Sequence, residues 1–290
     1  MRIMFTGIGG SGAWVMRGEQ LAATRLDWSA IANATRSDLS GVDAVVVVKH
    51  ISERALAALR NWGGPIIYDP LDFWDQRASR FCKTNPALQI ESSEEARQVF
   101  AQDFERISPD LILCPTQAMN DDLSPLGYRT ATLHHHFDPR LRSCEQDVRA
   151  RPRVLFHGKR GYMKAWEYTA RLSCRLLGAD FIMSDAPLPP PADVMLAVRG
   201  GRHGNWLSRR WKSNVKAATA QRLGLPFVAW PEIAYRETHP GAHWFTSPIQ
   251  LHRAIANALA AARPQPQTGL YSAEWAAGRL ETILATVQAR

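Results

Sequence analysis

The run Asp43–Lys49, DAVVVVK, constrains the fold more than any other stretch of this chain. Its apolar centre is continuous rather than alternating, so a strand made from it must be covered on both faces. That places it inside a parallel sheet with helices above and below. Parallel neighbours need long crossover connections, so helices must alternate with short apolar runs. They do so along the chain. Arg2–Thr6 reads as the first strand, Ala13–Ala23 as a helix and Trp28–Ala32 as the second strand. Ile51–Trp62 is an amphipathic helix and Pro65–Tyr68 a fourth strand. Ser92–Ile107 is a helix opening with an S-x-x-E box, Ser92 to Glu95. Leu111–Cys114 and Thr130–Leu133 complete a first set of strands.

Asp138–Pro152 is polar and charged, with Pro139 and Pro152 near its ends, and reads as a linker. A second alternating set follows: strands at Arg153–His157, Asp180–Met183, Val194–Val198 and Pro226–Trp230, with helices between them. A proline-rich connector, Arg263–Gly269, leads to a helix at Ser272–Arg290. The expected fold class is α/β: two Rossmann-like, doubly wound domains facing across a cleft. Residues 1–138 form the first, 139–152 the linker and 153–270 the second, with 271–290 a helix placed to pack back on the first.

A chain of 290 residues can supply two such cores. Its four cysteines, Cys82, Cys114, Cys144 and Cys174, form no CxxC pair, so a reduced compartment without structural zinc is the simplest account. The sequence opens directly on a strand and holds no apolar run near ~20 residues. A cytoplasmic protein, at most peripheral at the inner face of a membrane, is the expectation. Charge is uneven. Arg151–Arg222 holds 14 Lys/Arg against 4 Asp/Glu, while the whole chain has a net charge of +8. The second half therefore expects an anionic ligand or surface.

Candidate site residues follow from this pattern. Gly7-Ile8-Gly9-Gly10-Ser11-Gly12 fits G-x-G-x-x-G between a strand and a helix. A dinucleotide site would want an acid ending the second strand, where Asn33 stands instead. A tight turn bringing the backbone near a neighbour or an acceptor is the preferred reading of Gly9, Gly10 and Ser11. Asp69 and Asp72 follow the fourth strand, where ligands of open α/β sheets bind, and either could be a base or orient a sugar. His134-His135-His136 ends the sixth strand, and His135 could face the cleft or sit in a hinge. Neighbouring histidines in an extended segment point to opposite faces, so no metal site is expected. Gly158-Lys159 is a small basic turn suited to an anion. In Trp211–Glu237, Ser213 can cap a helix on which Lys212 and Lys216, four apart, share one face near its start. Two ammonium groups at a helix N-terminus suit a diphosphate. Arg199 and Arg209 stand close by in sequence, and no metal or other cofactor is called for.

On these residues the chain resembles glycosyltransferases of the GT-B fold, particularly compact bacterial ones that build surface polysaccharide. The resemblance is carried by Gly7–Gly12 with Arg17 and Gln20, by Ile67–Asp75, and by KSNVKAATAQRLGLPFVAWPEIAYRE. It implies a nucleotide-sugar donor in the C-terminal domain and a saccharide or lipid-linked acceptor in the N-terminal one. Lys212, Asn214 and Lys216 would meet the diphosphate, with Glu232 near the donor sugar or ribose and Tyr235 and Arg236 flanking it. Many retaining members carry two glutamates eight apart around this helix, whereas here no carboxylate lies between Asp193 and Glu232. The choice of inverting or retaining chemistry stays open. Other readings are a nucleic-acid binder using Trp206, Trp211 and the arginines around them, a nicotinamide oxidoreductase built on Gly7, Gly9 and Gly12, and an inactive GT-B-like scaffold.

Overall fold

The computed structural model describes residues 1–71, 90–142 and 150–288. Six parallel strands form a first sheet: β1 (Ile3–Thr6), β2 (Trp28–Ala30), β3 (Ala44–Val48), β4 (Ile66–Asp69), β5 (Leu111–Cys114) and β6 (Thr130–Thr132). Their order is β2-β1-β3-β4-β5-β6. The valine run lies inside this sheet, paired on both sides and fully buried. Each of those side chains stabilises the fold by roughly 1.5–3 kcal/mol of burial.

Helices cover both faces. After β1 comes a helix that starts as α1 (Gly12–Trp14) and runs on as a π-helical stretch, Val15–Gln20. The opposite face carries α2 (Glu53–Trp62), α3 (Ser93–Ile107) and α4 (Gln117–Leu123), whose Leu56, Phe100, Phe104 and Met119 pack on Val45 and Val47. Ser92 caps α3 as expected, but the Glu95 carboxylate accepts from Glu91 N, so the reciprocal half of the box is not made.

The second sheet is also parallel: β7 (Arg153–His157), β8 (Asp180–Ser184), β9 (Val194–Ala197), β10 (Phe227–Ala229) and β11 (His243–Trp244), in the order β11-β10-β9-β7-β8. The chain adds α5 (Trp166–Leu176), α6 (Trp206–Arg210), α7 (Val215–Leu223), α8 (Ile233–Thr238) and α9 (Pro248–Ala260). Side chains of α7 and α8 bury one face of the sheet, and those of α5 and α9 the other. The last helix, α10 (Ala273–Gln288), crosses back. Its Ala276, Ala277, Leu280 and Leu284 pack on Ile3, Phe5 and Val46 of the first sheet, and Glu281 takes a two-pronged ion pair from Arg25.

The chain thus passes between the two units twice, and the crossings touch: Phe137 N donates to Tyr271 O at 2.9 Å. Phe137 and Leu141 already pack with Leu155 and Phe227 of the second core. A third exchange is made by side chains alone. Trp211, just after α6, is fully buried in the first unit's core, edge-on to Phe100 at 5.3 Å between centroids. Its indole N–H donates to Asp122 on α4, and Arg210 clamps the same carboxylate through two hydrogen bonds. Glu237 on α8 accepts from Gln117 N and Ala118 N at the start of α4. These contacts make Trp211 and Arg210 part of the internal structure. Trp211 cannot stack on a base.

Candidate functional site

In an open parallel sheet the crevice for ligands lies beyond the carboxyl ends of the strands, where the winding direction reverses. In the second sheet that reversal falls between β7 and β9. Gly158 follows β7, Arg199 follows β9 and Glu232 follows β10, and the first turn of α7 brings Lys216 among them. Lys216 is partly exposed along its length, yet its amine is sealed from solvent and has no hydrogen-bond partner. The amine lies 4.3 Å from the centroid of the Phe156 ring. Burial, reinforced by the Arg199 guanidinium, lowers its pKa from the ordinary 10.5 to about 7. Arg199 Nε stands 3.0 Å from Glu232 Oε1, and both side chains are nearly buried. Neither Glu232 oxygen has a hydrogen bond of good geometry. Tyr235, buried beside this pair, has its phenol pKa raised by burial and by the Glu232 charge.

The helix start adds to this. Asn214, not Ser213, is the residue before α7, and its side chain does not cap the helix. Its Oδ1 instead accepts from His135 N at 2.7 Å, while Nδ2 is buried without a partner. The first-turn amides of α7 therefore have no side-chain cap, and an orphaned ammonium and an orphaned amide stand beside them. Gly158 makes room: at φ +146° it holds a conformation L residues avoid, and a Cβ there would lie 3.4 Å from Lys216 Nζ. Gly158→Ala should cost about 1–3 kcal/mol from backbone strain and weaken whatever anion Lys216 holds. Chemical denaturation and ligand titration of the variant check both.

Several expected placements need correction. Lys212 precedes α7, so it shares no helix face with Lys216; helix spacing holds only once the helix has begun. Lys159 and Arg209 are exposed. Arg236 is exposed, its guanidinium 5.9 Å from the Trp244 ring centroid. His135 is buried, its Nδ1 paired with His136 O, so it belongs to the crossing rather than to an open cleft. Gly9 serves a tight turn: a Cβ would come 2.9 Å from that of Ala32. Gly10 follows it at φ +67°, with open space around it, and Ser11 caps α1 by accepting from Trp14 N. Asp72 lies outside the described residues.

Asp69 is already engaged. Its Oδ2 accepts from Arg17 Nε at 2.7 Å and its Oδ1 from Leu71 N at 3.1 Å. Arg17 is fully buried and also donates to the carbonyls of Leu133 and His134. The pair ties the end of β4 to the segment after β6, an engagement that the expected roles of base or sugar-orienting acid did not include. Asp69→Ala would strand a buried guanidinium, at a cost of about 3–5 kcal/mol, read as a lower urea midpoint. Lost activity at an unchanged midpoint would instead mark Asp69 as a reacting group.

No family model matches the sequence, and no curated protein does. Solved structures match in shape. AviGT4, a glycosyltransferase involved in avilamycin A biosynthesis, is similar over 99% of this chain and 98% of its own, at 11% identity and a TM-score of 0.52. A UGT transferase from Siraitia grosvenorii, in complex with UDP, is similar over 99% of both chains at 12% identity and a TM-score of 0.50. The fold is GT-B. At these identities the likeness is one of architecture.

Within this GT-B frame, Asp122, Glu237 and Trp211 are the important residues that sequence reasoning missed as contacts between the units. No local signal marks Asp122 or Glu237, since their partners lie some ninety to one hundred and twenty positions away. Trp211 carried a weak signal, being a large apolar residue amid arginines. Among the described residues no group of three or more His, Cys, Asp or Glu could hold a metal.

Proposed function

We propose that the protein is a glycosyltransferase that moves a sugar from a nucleotide-sugar donor held by its second domain. The observation that carries this reading is the sealed, unpartnered amine of Lys216 beside an uncapped helix start at the winding reversal of the second sheet. A buried amine with a pKa near neutrality gains most from an anion that enters and restores its proton. A diphosphate would take the Lys216 amine, the Asn214 amide and the first-turn amides of α7 together. As the glycosidic bond to the donor breaks, negative charge grows on that leaving group, and cations held in place lower the barrier. On this reading the side chains supply that charge without a metal ion. Arg199 and Glu232 adjoin the amine, and Glu232, whose oxygens make no hydrogen bond of good geometry despite the Arg199 fork beside them, is suited to sugar or ribose hydroxyls.

The acceptor is a saccharide or lipid-linked glycan of a bacterial surface polymer on this reading. An acceptor at an anionic membrane fits α5, which exposes Tyr168, Leu172 and Leu176 interleaved with the exposed Arg171 and Arg175. No helix among the described residues is long and apolar enough to cross a membrane. Leu172→Asp should reduce sedimentation with phosphatidylglycerol vesicles, and unchanged sedimentation would remove that contact.

A thermal-shift series with UDP, GDP, CMP and dTDP, followed by their sugars, tests the main proposal. One nucleotide should raise the midpoint by mass action, and its sugar should be consumed with an acceptor. No shift with any nucleotide would sink it.

A further inference from the structure

A second concave site lies at the outer edge of the second sheet, beyond β11 and away from the reversal where Lys216 sits. It is a groove of about 380 Å³ between α8 and α9, floored by the edge strand. Its polar lining is Arg236, Arg253, His243, Thr246, Gln250 and Asn257, with the Trp244 indole beside them. No carboxylate lines it. The sequence carries no Asp or Glu at all from residue 238 to residue 273, the stretch that supplies β11 and α9. Arg236 packs by the Trp244 ring, and neither it nor Arg253 makes an ion pair among the described residues. Gln250 uses its carbonyl oxygen to accept from Thr246 N and Oγ1, each at 2.7 Å, which turns its amide nitrogen to donor duty.

Two guanidiniums without carboxylate partners, facing a donor-rich concavity, form an uncompensated positive site. Guanidinium forks match phosphate and carboxylate oxygens in pairs. The volume is in the range that holds small ligands, and the two carboxamides with the indole edge suit a hydroxylated body. We infer that this groove is a second binding site, for a saccharide bearing a phosphate or a carboxylate. It does not depend on the reading of Lys216, since none of Lys216, Asn214, Arg199 and Glu232 lines the groove. Pro231, which lines the groove, is the residue before Glu232, so the two sites are linked through one short turn.

The test is calorimetric titration with glucose 6-phosphate, glucuronate and glucose. The wild-type protein should bind one or both charged sugars and not glucose. Arg253→Ala should weaken that binding at least tenfold, with the Arg236→Ala, Arg253→Ala pair abolishing it and Arg253→Lys keeping part of it. Both arginines are exposed, so the variants should keep the wild-type thermal midpoint. Lys216→Ala should leave this binding intact while nucleotide binding fails. Preference for phosphate over carboxylate, or the reverse, would name the ligand's source. Equal binding of glucose, unchanged affinity in the double variant, or loss in Lys216→Ala would each overturn the assignment.

Discussion

Lys216→Met is expected to raise the Kd for nucleoside diphosphate at least a hundredfold while making the unliganded protein more stable. Those two effects rarely travel together, and their joint appearance is specific to a buried, unpaired amine. Most binding variants weaken both ligand affinity and fold, or leave the fold untouched. Here the amine costs the free protein its desolvation and recovers it when an anion arrives. With a pKa of about 7 against an ordinary 10.5, the folded state binds fewer protons than the unfolded state between those values. Unfolding free energy therefore rises with pH from about 7 to 10.5, and the penalty is fully present below pH 7. At neutral pH, removing it should gain up to about 5 kcal/mol, the value of a shift of this size, read as a higher denaturant midpoint. Diphosphate affinity has the opposite dependence. It should be level below pH 7 and fall above it, because binding there must recruit a proton. Calorimetry at pH 7 in two buffers of different ionisation enthalpy should register net proton uptake. Flat affinity between pH 6 and 9 would reject Lys216 as the phosphate's partner.

The second large effect concerns Trp211. Trp211→Ala removes a fully buried indole from the first unit's core, and substitutions of that kind cost about 3–5 kcal/mol. It also leaves Asp122 with only the Arg210 fork. Because the side chain comes from the second unit, the loss should extend beyond local packing and loosen the docking of the two. Hydrogen exchange should speed up in α4 and α8 together, since Glu237 bridges them. Asp122→Asn should reproduce part of this while keeping the volume. Exchange confined to the Phe100 side of α3 would show that Trp211 fills a core without coupling the units.

Those two cases show what local sequence can carry. The valine run, the helix stop at Gly224 with its φ of +63°, and the alternation of strands and helices are set by neighbours in sequence, and all are legible there. Lys216 was legible as a cation in the first turn of a helix that follows a basic loop. Lys212 misled for the same reason, since spacing of four has meaning only if both residues are helical, and α7 starts at Val215. Asp69 looked free at a strand end because its partner, Arg17, comes 52 positions earlier. Arg210 and Trp211 looked like part of a ligand surface because their partner on α4, Asp122, cannot be read from the basic stretch itself. A pattern of charge tells that anions are wanted nearby. It does not tell whether Asp122 or a phosphate supplies them.

The return of α10 has a consequence for biosynthesis. When a ribosome has released residues 1–136, one face of the leading sheet still lacks Ala276, Leu280 and Leu284, which complete its cover. The opposite face still lacks Trp211. The early half must wait, incompletely dressed on both sides, until well over a hundred further residues emerge. Stalled or shortened nascent chains should for that reason be good clients for chaperones.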